Sequence, residues 1–133
     1  MNRLWRWLLW CGFAACVVGT AGFALAREPA PRTVDFPLIV VADLPKEGRD
    51  TLALIRKGGP YPYSKDGSVF SNRERILPRE ARGYYHEFTV KTPRSRDRGA
   101  RRIICGSAAG KQQVLDVCYY TDDHYASFKK IKE

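Results

Sequence analysis

The sequence predicts an α+β domain in which one amino-terminal helix packs on an antiparallel β-sheet. Three observations carry this. A single segment, from Asp43 to Gly58-Gly59, has helical spacing of its apolar residues. From Tyr84 onward the chain breaks into short alternating or apolar pieces separated by turn residues. The helical segment precedes all of the strand-like ones, the order expected of a helix laid on one face of an antiparallel sheet.

Residues 1–26 are set apart from the fold. They open with Arg3 and Arg6, run apolar from Trp7 to Leu25, contain no acid and end Ala24-Leu25-Ala26. This is the pattern of a Sec-type signal peptide with an A-x-A cleavage site. The run is long enough that an uncleaved inner-membrane anchor is its rival. Residues 27–37 hold three prolines and mixed charge without periodicity, a flexible lead-in. The domain proper is expected over 38–133.

Asp43-Leu44-Pro45-Lys46-Glu47 opens the helix, with Asp43 in a capping position, a proline early and an acid in the first turn. Leu44, Gly48, Thr51, Leu52 and Ile55 form its apolar stripe, and Gly58-Gly59 stops it. From Gly59 to Asn72 the density of Gly, Pro, Tyr and Asn predicts turns and an extended surface loop. Loops of this kind usually carry recognition.

Tyr84 to Thr92 then predicts a strand with unlike faces, Tyr85, Glu87, Thr89 and Lys91 on one and Tyr84, His86, Phe88 and Val90 on the other. A charged turn covers Pro93 to Gly99, and a strand runs through Arg101 to Cys105. Ser107 to Gln113 is a second turn, and Val114 to Thr121 and Tyr125 to Ile131 supply two more strands.

The chain has 23 Lys and Arg against 14 Asp and Glu, a formal net charge of +9; removing the leader with its two arginines lowers this to +7. A small basic exported domain favours polyanionic partners, RNA among them, although basic charge also serves solubility. Two of the four cysteines, Cys11 and Cys16, belong to the leader. Cys105 and Cys118 remain as an even pair in an oxidising compartment, either a disulfide or, with Cys105 in its apolar run, a buried thiol. With no CxxC and only His86 and His124 as histidines, no spacing suggests a zinc site.

Several residues carry chemistry if they converge. Cleaving RNA through its own 2′-hydroxyl needs a base on that hydroxyl, an acid at the departing 5′-oxygen, and positive charge around the phosphorane. Glu87, mid-strand and opposite in facing to Phe88 and Val90, is the candidate base; the bland reading is a solvated strand glutamate. His124, in Thr121-Asp122-Asp123-His124-Tyr125, is the candidate acid because histidine titrates near neutrality. A turn histidine on the surface is the alternative, and His86 is read as structural. A guanidinium binds phosphate oxygens bidentately and stays charged, so the basic segment from Arg94 to Arg102 can supply phosphate ligands, and it is the resemblance to a known family that picks out Arg98 and Arg102. Arg94, Arg96 and Arg101 are assigned to a solvated, RNA-attracting face.

Phe70-Ser71-Asn72-Arg73-Glu74 is the candidate base-reading segment. A carboxylate at Glu74 can accept both donors on the Watson–Crick edge of guanine, where adenine presents an acceptor. Main-chain amides near Ser71 and Asn72 are placed to meet the guanine carbonyl, and Phe70 or Tyr125 offers a stacking surface. A polar loop with Phe70 tucked into the core is the alternative.

The ordered segments G-P-Y-P-Y-S-K-D-G-S-V-F-S-N-R-E, G-Y-Y-H-E-F-T-V, R-G-A-R-R-I-I-C-G and D-H-Y-A-S-F resemble the microbial guanyl-specific ribonucleases, the barnase-like family, and among them the secreted streptomycete-type members. The resemblance covers about residues 43–131. It implies the microbial ribonuclease fold and cleavage of single-stranded RNA 3′ to guanosine, through a 2′,3′-cyclic phosphate to the 3′-phosphate, with no metal or cofactor. It further implies Glu87 as general base, His124 as general acid, Arg98 and Arg102 on the phosphate and Glu74 on guanine. For bacterial members it also implies an acidic barstar-like inhibitor; a monomer is expected.

Three departures stand out: Ser71 where many relatives have glutamine, a longer Ser107 to Val117 segment, and no cysteine at either end of the domain. The rival function from another class is a noncatalytic basic module that binds RNA or an anionic cell-surface polymer. A ribonuclease toxin effector shares the chemistry and differs in biology.

Overall fold

The computed structural model describes residues 34–108 and 114–133. The leader, most of the lead-in and most of the turn expected over 107–113 lie outside the described residues. The elements are β1 (Leu38–Val40), a 3-10 turn (Val41–Asp43), α1 (Lys46–Lys57), β2 (Ser68–Val69), β3 (Tyr85–Thr89), β4 (Arg102–Gly106), β5 (Val117–Thr121) and β6 (Lys129–Lys132). The strands form one sheet in the order β1-β6-β5-β4-β3-β2. Every pairing is antiparallel except β1 with β6, which is parallel. The α+β class read from the sequence is the observed one.

Helix α1 begins later than its sequence signal. Asp43 ends the 3-10 turn and does not cap the helix; Pro45 is the N-cap residue, with no side-chain cap bond. The reason is local. The residue before a proline is pushed out of the helical region, and Leu44 is extended at φ −63°, ψ 145°, leaving Asp43 too far upstream. The Pro45 carbonyl accepts the amides of Gly48 (2.8 Å) and Arg49 (3.1 Å). At the other end Gly58 takes a left-handed φ of 84°, which glycine alone adopts without a Cβ penalty, and the chain turns off the helix there.

Gly48, Leu52 and Ile55 form the buried stripe of α1. Leu44, Leu52 and Ile55 pack against Phe88, Val90, Ile103, Cys105, Cys118, Tyr120 and Ile131 on one face of the sheet. Each fully buried Leu or Ile here stabilises the fold by about 1.5–3 kcal/mol. The opposite face carries a second cluster, Leu77, Tyr85, Ile104, Tyr119 and Phe128, edged by Phe36, Phe70 and Tyr125. The unlike faces expected of β3 are present, and both are lined by apolar neighbours. Cys105 and Cys118 are register partners on β4 and β5 and form a disulfide on the helix side, so Cys105 is a bonded half-cystine and not a buried thiol.

Other elements and boundaries also differ from the sequence reading, and β3 ends at Thr89 instead of Thr92. β1 and β2 were not expected as strands: they are three and two residues long, too short to show a period. Phe36 and Pro37, within the expected lead-in, already belong to the packed body. Phe36 meets the Tyr119 ring edge-on at 5.0 Å, and the Pro37 carbonyl accepts the Lys130 amide at 2.8 Å. The strand expected from Val114 starts at Val117. That expected from Tyr125 starts at Lys129, because residues 122–128 are held in a tight loop by Asp123, which accepts the Ser127 amide (2.9 Å) and the Thr121 hydroxyl (2.8 Å). His124 and Tyr125 take left-handed φ values of 57° and 71° within it.

Candidate active site

The face of the sheet away from α1 carries the candidate groups. Pleating puts Tyr85, Glu87 and Thr89 of β3 on that face. Register sets Glu87 between Ser68 of β2 and Ile104 of β4, and sets Arg102 of β4 between Thr89 and Thr121. A carboxylate and a guanidinium thus emerge from adjacent rows of two paired interior strands.

The Glu87 side chain is only 14% exposed and both its oxygens are engaged. Oε2 accepts the Tyr125 hydroxyl at 2.6 Å. Oε1 lies 3.4 Å from Nη2 of Arg98 and 3.4 Å from the Ser68 hydroxyl. Burial chiefly, then the hydrogen bond and charge of Glu87, raise the Tyr125 phenol above its ordinary value, with Arg102 opposing, so it stays a donor to the carboxylate.

Arg98 is held from below. Its Nε and Nη2 donate to Thr89 Oγ1 at 3.0 and 2.8 Å, and Nη2 lies 4.0 Å from Oδ1 of Asp66. Asp66 is itself tied down, accepting the amides of Thr89 (2.7 Å) and Tyr63 (3.3 Å). Neither Asp66 nor Thr89 was singled out from the sequence. Lys65-Asp66-Gly67 has the composition of an ordinary turn, and only the fold brings that turn under β3.

Arg102 is 3% exposed. Its Nη1 donates to the carbonyls of Gly99 (2.9 Å) and Arg101 (2.8 Å), and more weakly to that of Arg98 (3.4 Å), while its Nε is buried without a partner. Among the described residues no carboxylate lies within ion-pair distance of it. A buried cation without a counter-ion is costly, and an arriving anion relieves the cost. Its guanidinium carbon stands 5.9 Å from the centre of the Tyr125 ring. Gly99 makes this anchorage possible: its φ is +62°, and a Cβ there would collide with the Thr92 side chain.

His124 is exposed at the rim of the same face, its ring 4.9 Å from that of Tyr125. Tyr125 therefore touches Glu87 through its hydroxyl and His124 and Arg102 through its ring. Its sequence assignment was as a stacking surface alone; the hydroxyl contact with Glu87 was not foreseen and has no local sequence signal.

Phe70, Ser71, Asn72, Arg73 and Glu74 line a cleft of about 160 Å³ together with Ile76, Tyr125 and Phe128. Phe70 and Tyr125 stack on each other, rings 5.2 Å apart and 27° from parallel. Asn72 shapes the loop: its Nδ2 donates to the Leu77 carbonyl at 2.8 Å and its Oδ1 accepts the Leu77 amide at 3.1 Å. Its side chain is thereby occupied, and what the segment offers a base edge is main chain plus the exposed Glu74. The structure brings together Glu87, Arg98, Arg102 and Tyr125 in contact, with His124 and the 70–74 cleft adjoining through Tyr125. His86 points to the other face, lining a small cavity with Tyr61, Phe88 and Cys105. Arg94 and Arg96 are exposed and Arg101 is half-buried.

A family profile described as ribonuclease matches residues 27–132. The chain is 54% identical over 103 residues to guanyl-specific ribonuclease St of Saccharopolyspora erythraea, covering 77% of this chain and 95% of the relative. It is 52% identical over 95 residues to guanyl-specific ribonuclease Sa of Kitasatospora aureofaciens, covering 71% of this chain and 93% of that protein. The fold matches the crystal structure of ribonuclease Sa2 with guanosine-2′-cyclophosphate at a TM-score of 0.65 and 48% identity, over 74% of this chain and 97% of the other.

Proposed function

Since the chain belongs to the microbial guanyl-specific ribonuclease family, we propose that its cleavage of RNA after guanosine is performed by Glu87, His124, Arg98 and Arg102 on the open face of the sheet. The protein is a guanyl-specific ribonuclease that binds guanine nucleotides or RNA. The roles of its residues are the proposal. The observation that carries them is the convergence of a nearly enclosed carboxylate, Glu87, with a buried guanidinium, Arg102, that has no carboxylate partner among the described residues.

Glu87 takes the proton of the guanosine 2′-hydroxyl as that oxygen bonds to phosphorus and the bond to the 5′-oxygen of the next nucleotide breaks. The departing oxygen takes its proton from the His124 imidazolium. In the second step neutral His124 accepts a proton from water, whose oxygen opens the 2′,3′-cyclic phosphate, and Glu87 returns its proton to the 2′-oxygen. Arg98 and Arg102 bind the non-bridging oxygens and offset the charge that develops on them. No step calls for a metal. Glu74 accepts the guanine edge, Phe70 and Tyr125 provide the aromatic wall, and amides near Ser71, Asn72 and Arg73 meet the carbonyl.

The substrate is single-stranded RNA, because a paired guanine cannot present its Watson–Crick edge to Glu74. The protein acts as an exported monomer of residues 27–133, with residues 1–26 as its signal peptide. An acidic barstar-like protein is its natural class of inhibitor, given a basic site built around arginines.

Purified residues 27–133 incubated with GpC and ApC in EDTA test the reading by product chromatography. Guanosine 2′,3′-cyclic phosphate should form much faster from GpC, and Glu87→Gln should slow it about 10²–10⁴-fold while the circular dichroism spectrum stays the same. Equal rates for the folded wild type and Glu87→Gln would remove Glu87 from the mechanism.

A further inference from the structure

The 70–75 loop has a second side. Against it lies a trough of about 630 Å³ whose walls carry Arg73, Arg75, Arg79 and Arg82, with Glu80 as the sole acidic residue of its lining. It is separate from the base cleft but shares Phe70, Ser71, Asn72 and Arg73 with it. The walls are fixed: the Arg75 amide bonds the Asn72 carbonyl at 2.9 Å, Asn72 clasps Leu77, and the Tyr85 hydroxyl holds the Pro78 carbonyl at 2.9 Å. Arg75, Arg79 and Arg82 are exposed, and none is in the ion pairs formed among the described residues. Four guanidinium groups facing one carboxylate around a concave surface suit a run of phosphates.

We infer that this trough binds the RNA chain on the 5′ side of the cleaved guanosine. The inference rests on the assignment of the base cleft and phosphate groups made under the proposed function. Glu87, Arg98, Arg102 and His124 do not line the trough, so the scissile phosphate that they hold lies outside it. A strand whose guanine is held by the shared loop, with its 3′-phosphate at those four residues, leaves the site in one further direction, through its 5′-oxygen. The trough lies beside the loop that holds that nucleoside. The added interactions are with phosphates, which makes the site blind to upstream sequence and sensitive to salt.

The test compares three substrates, GpC, the 5′-extended UpUpGpC and the 3′-extended GpCpUpU, with wild type and the triple variant Arg75→Asn, Arg79→Ala, Arg82→Ala. Asparagine is chosen at 75 because φ there is +53°, which it tolerates. The 5′ extension should raise wild-type kcat/KM about tenfold or more, chiefly through KM. The triple variant should lose that gain and keep its rates on GpC and GpCpUpU within about twofold. The slope of log kcat/KM on UpUpGpC against log salt should flatten by about 0.7 for each phosphate that the variant no longer neutralises.

No advantage for UpUpGpC over GpCpUpU in the wild type overturns the proposal. So does a triple variant that retains the advantage, or one that slows all three substrates alike. If wild type fails to cleave GpC, the catalytic reading is what falls. Binding of a labelled oligouridine by fluorescence anisotropy then judges the trough: the proposal stands only if the oligouridine binds wild type more tightly than the triple variant.

Discussion

At the scale of single residues the site turns on Tyr125. Its ring packs on Phe70 and its hydroxyl reaches Glu87, so one side chain joins the 70–74 cleft to the carboxylate. Tyr125→Phe separates these two contributions because it keeps the stack and removes the hydrogen bond. A hydrogen bond to a charged group contributes about 1.5–3 kcal/mol, and a tenfold rate change corresponds to about 1.36 kcal/mol. The variant should therefore lower kcat on GpC about tenfold or more, with KM nearly unchanged. A rise in kcat would mean that the hydroxyl competes with substrate for Glu87. Sequence chemistry and the family resemblance singled out Glu87, Arg98, Arg102 and Tyr125, and the fold brings these side chains together. The bonds beneath them were not legible. Asp66 and Thr89 are separated by more than twenty positions, and nothing local in either segment announces that the Thr89 amide will bond Asp66 Oδ1.

At the scale of elements, α1 and β3 to β5 were legible because each is long enough to complete its period and has an apolar face to bury. The ends of elements were decided by particular residues: Pro45 delayed the helix, and Asp123 held the 122–128 loop out of the last strand. β1 was illegible for a different reason, since its pairing with β6 joins positions near the two ends of the domain. Only the assembled sheet supplies that partner. The bridge between β4 and β5 is likewise an element-scale feature, closing a loop across a sequence separation of 13. Loops of this size stabilise by about 3 kcal/mol through the entropy of the unfolded chain. Replacing both cysteines by serine should cost roughly that amount in urea unfolding, while GpC cleavage below the transition stays near wild type because the face carrying the proposed groups is the opposite one. A double variant as stable as the wild type would show that packing alone secures β4 on β5.

For the whole molecule, the titration of its tyrosines sets the alkaline limit. Burial first, then the charge and hydrogen bond of Asp116, push the Tyr84 phenol from 10.0 up to about 12. Tyr85, Tyr119, Tyr120 and Tyr125 are raised as well, each mainly by burial. A folded value above the unfolded one means that the neutral phenol is favoured by folding. The stability it lends is complete below pH 10 and drains as pH rises from 10 towards 12. On the acid side, hydrogen bonds from the Ser127 hydroxyl and amide and then Thr121 lower Asp123 from 3.8 to about 2. Its contribution is present above pH 3.8 and disappears as pH falls towards 2. The melting temperature should therefore hold between about pH 4 and pH 10 and fall on either side. Tyr84→Phe, which keeps the ring and removes the proton, should make the alkaline fall shallower. An unchanged alkaline limb in that variant would place the transition on the other phenols.

The Cys105–Cys118 bridge also gives the molecule two covalent routes between the same pair of strands, one along the backbone and one through sulfur. One break in the backbone between those cysteines opens a ring and releases no fragment. The piece carrying His124 stays tethered to the piece carrying Glu87. A protein nicked there should run at full mass on a gel without thiol, split in two once reductant is added, and keep Glu87 and His124 in one body until then.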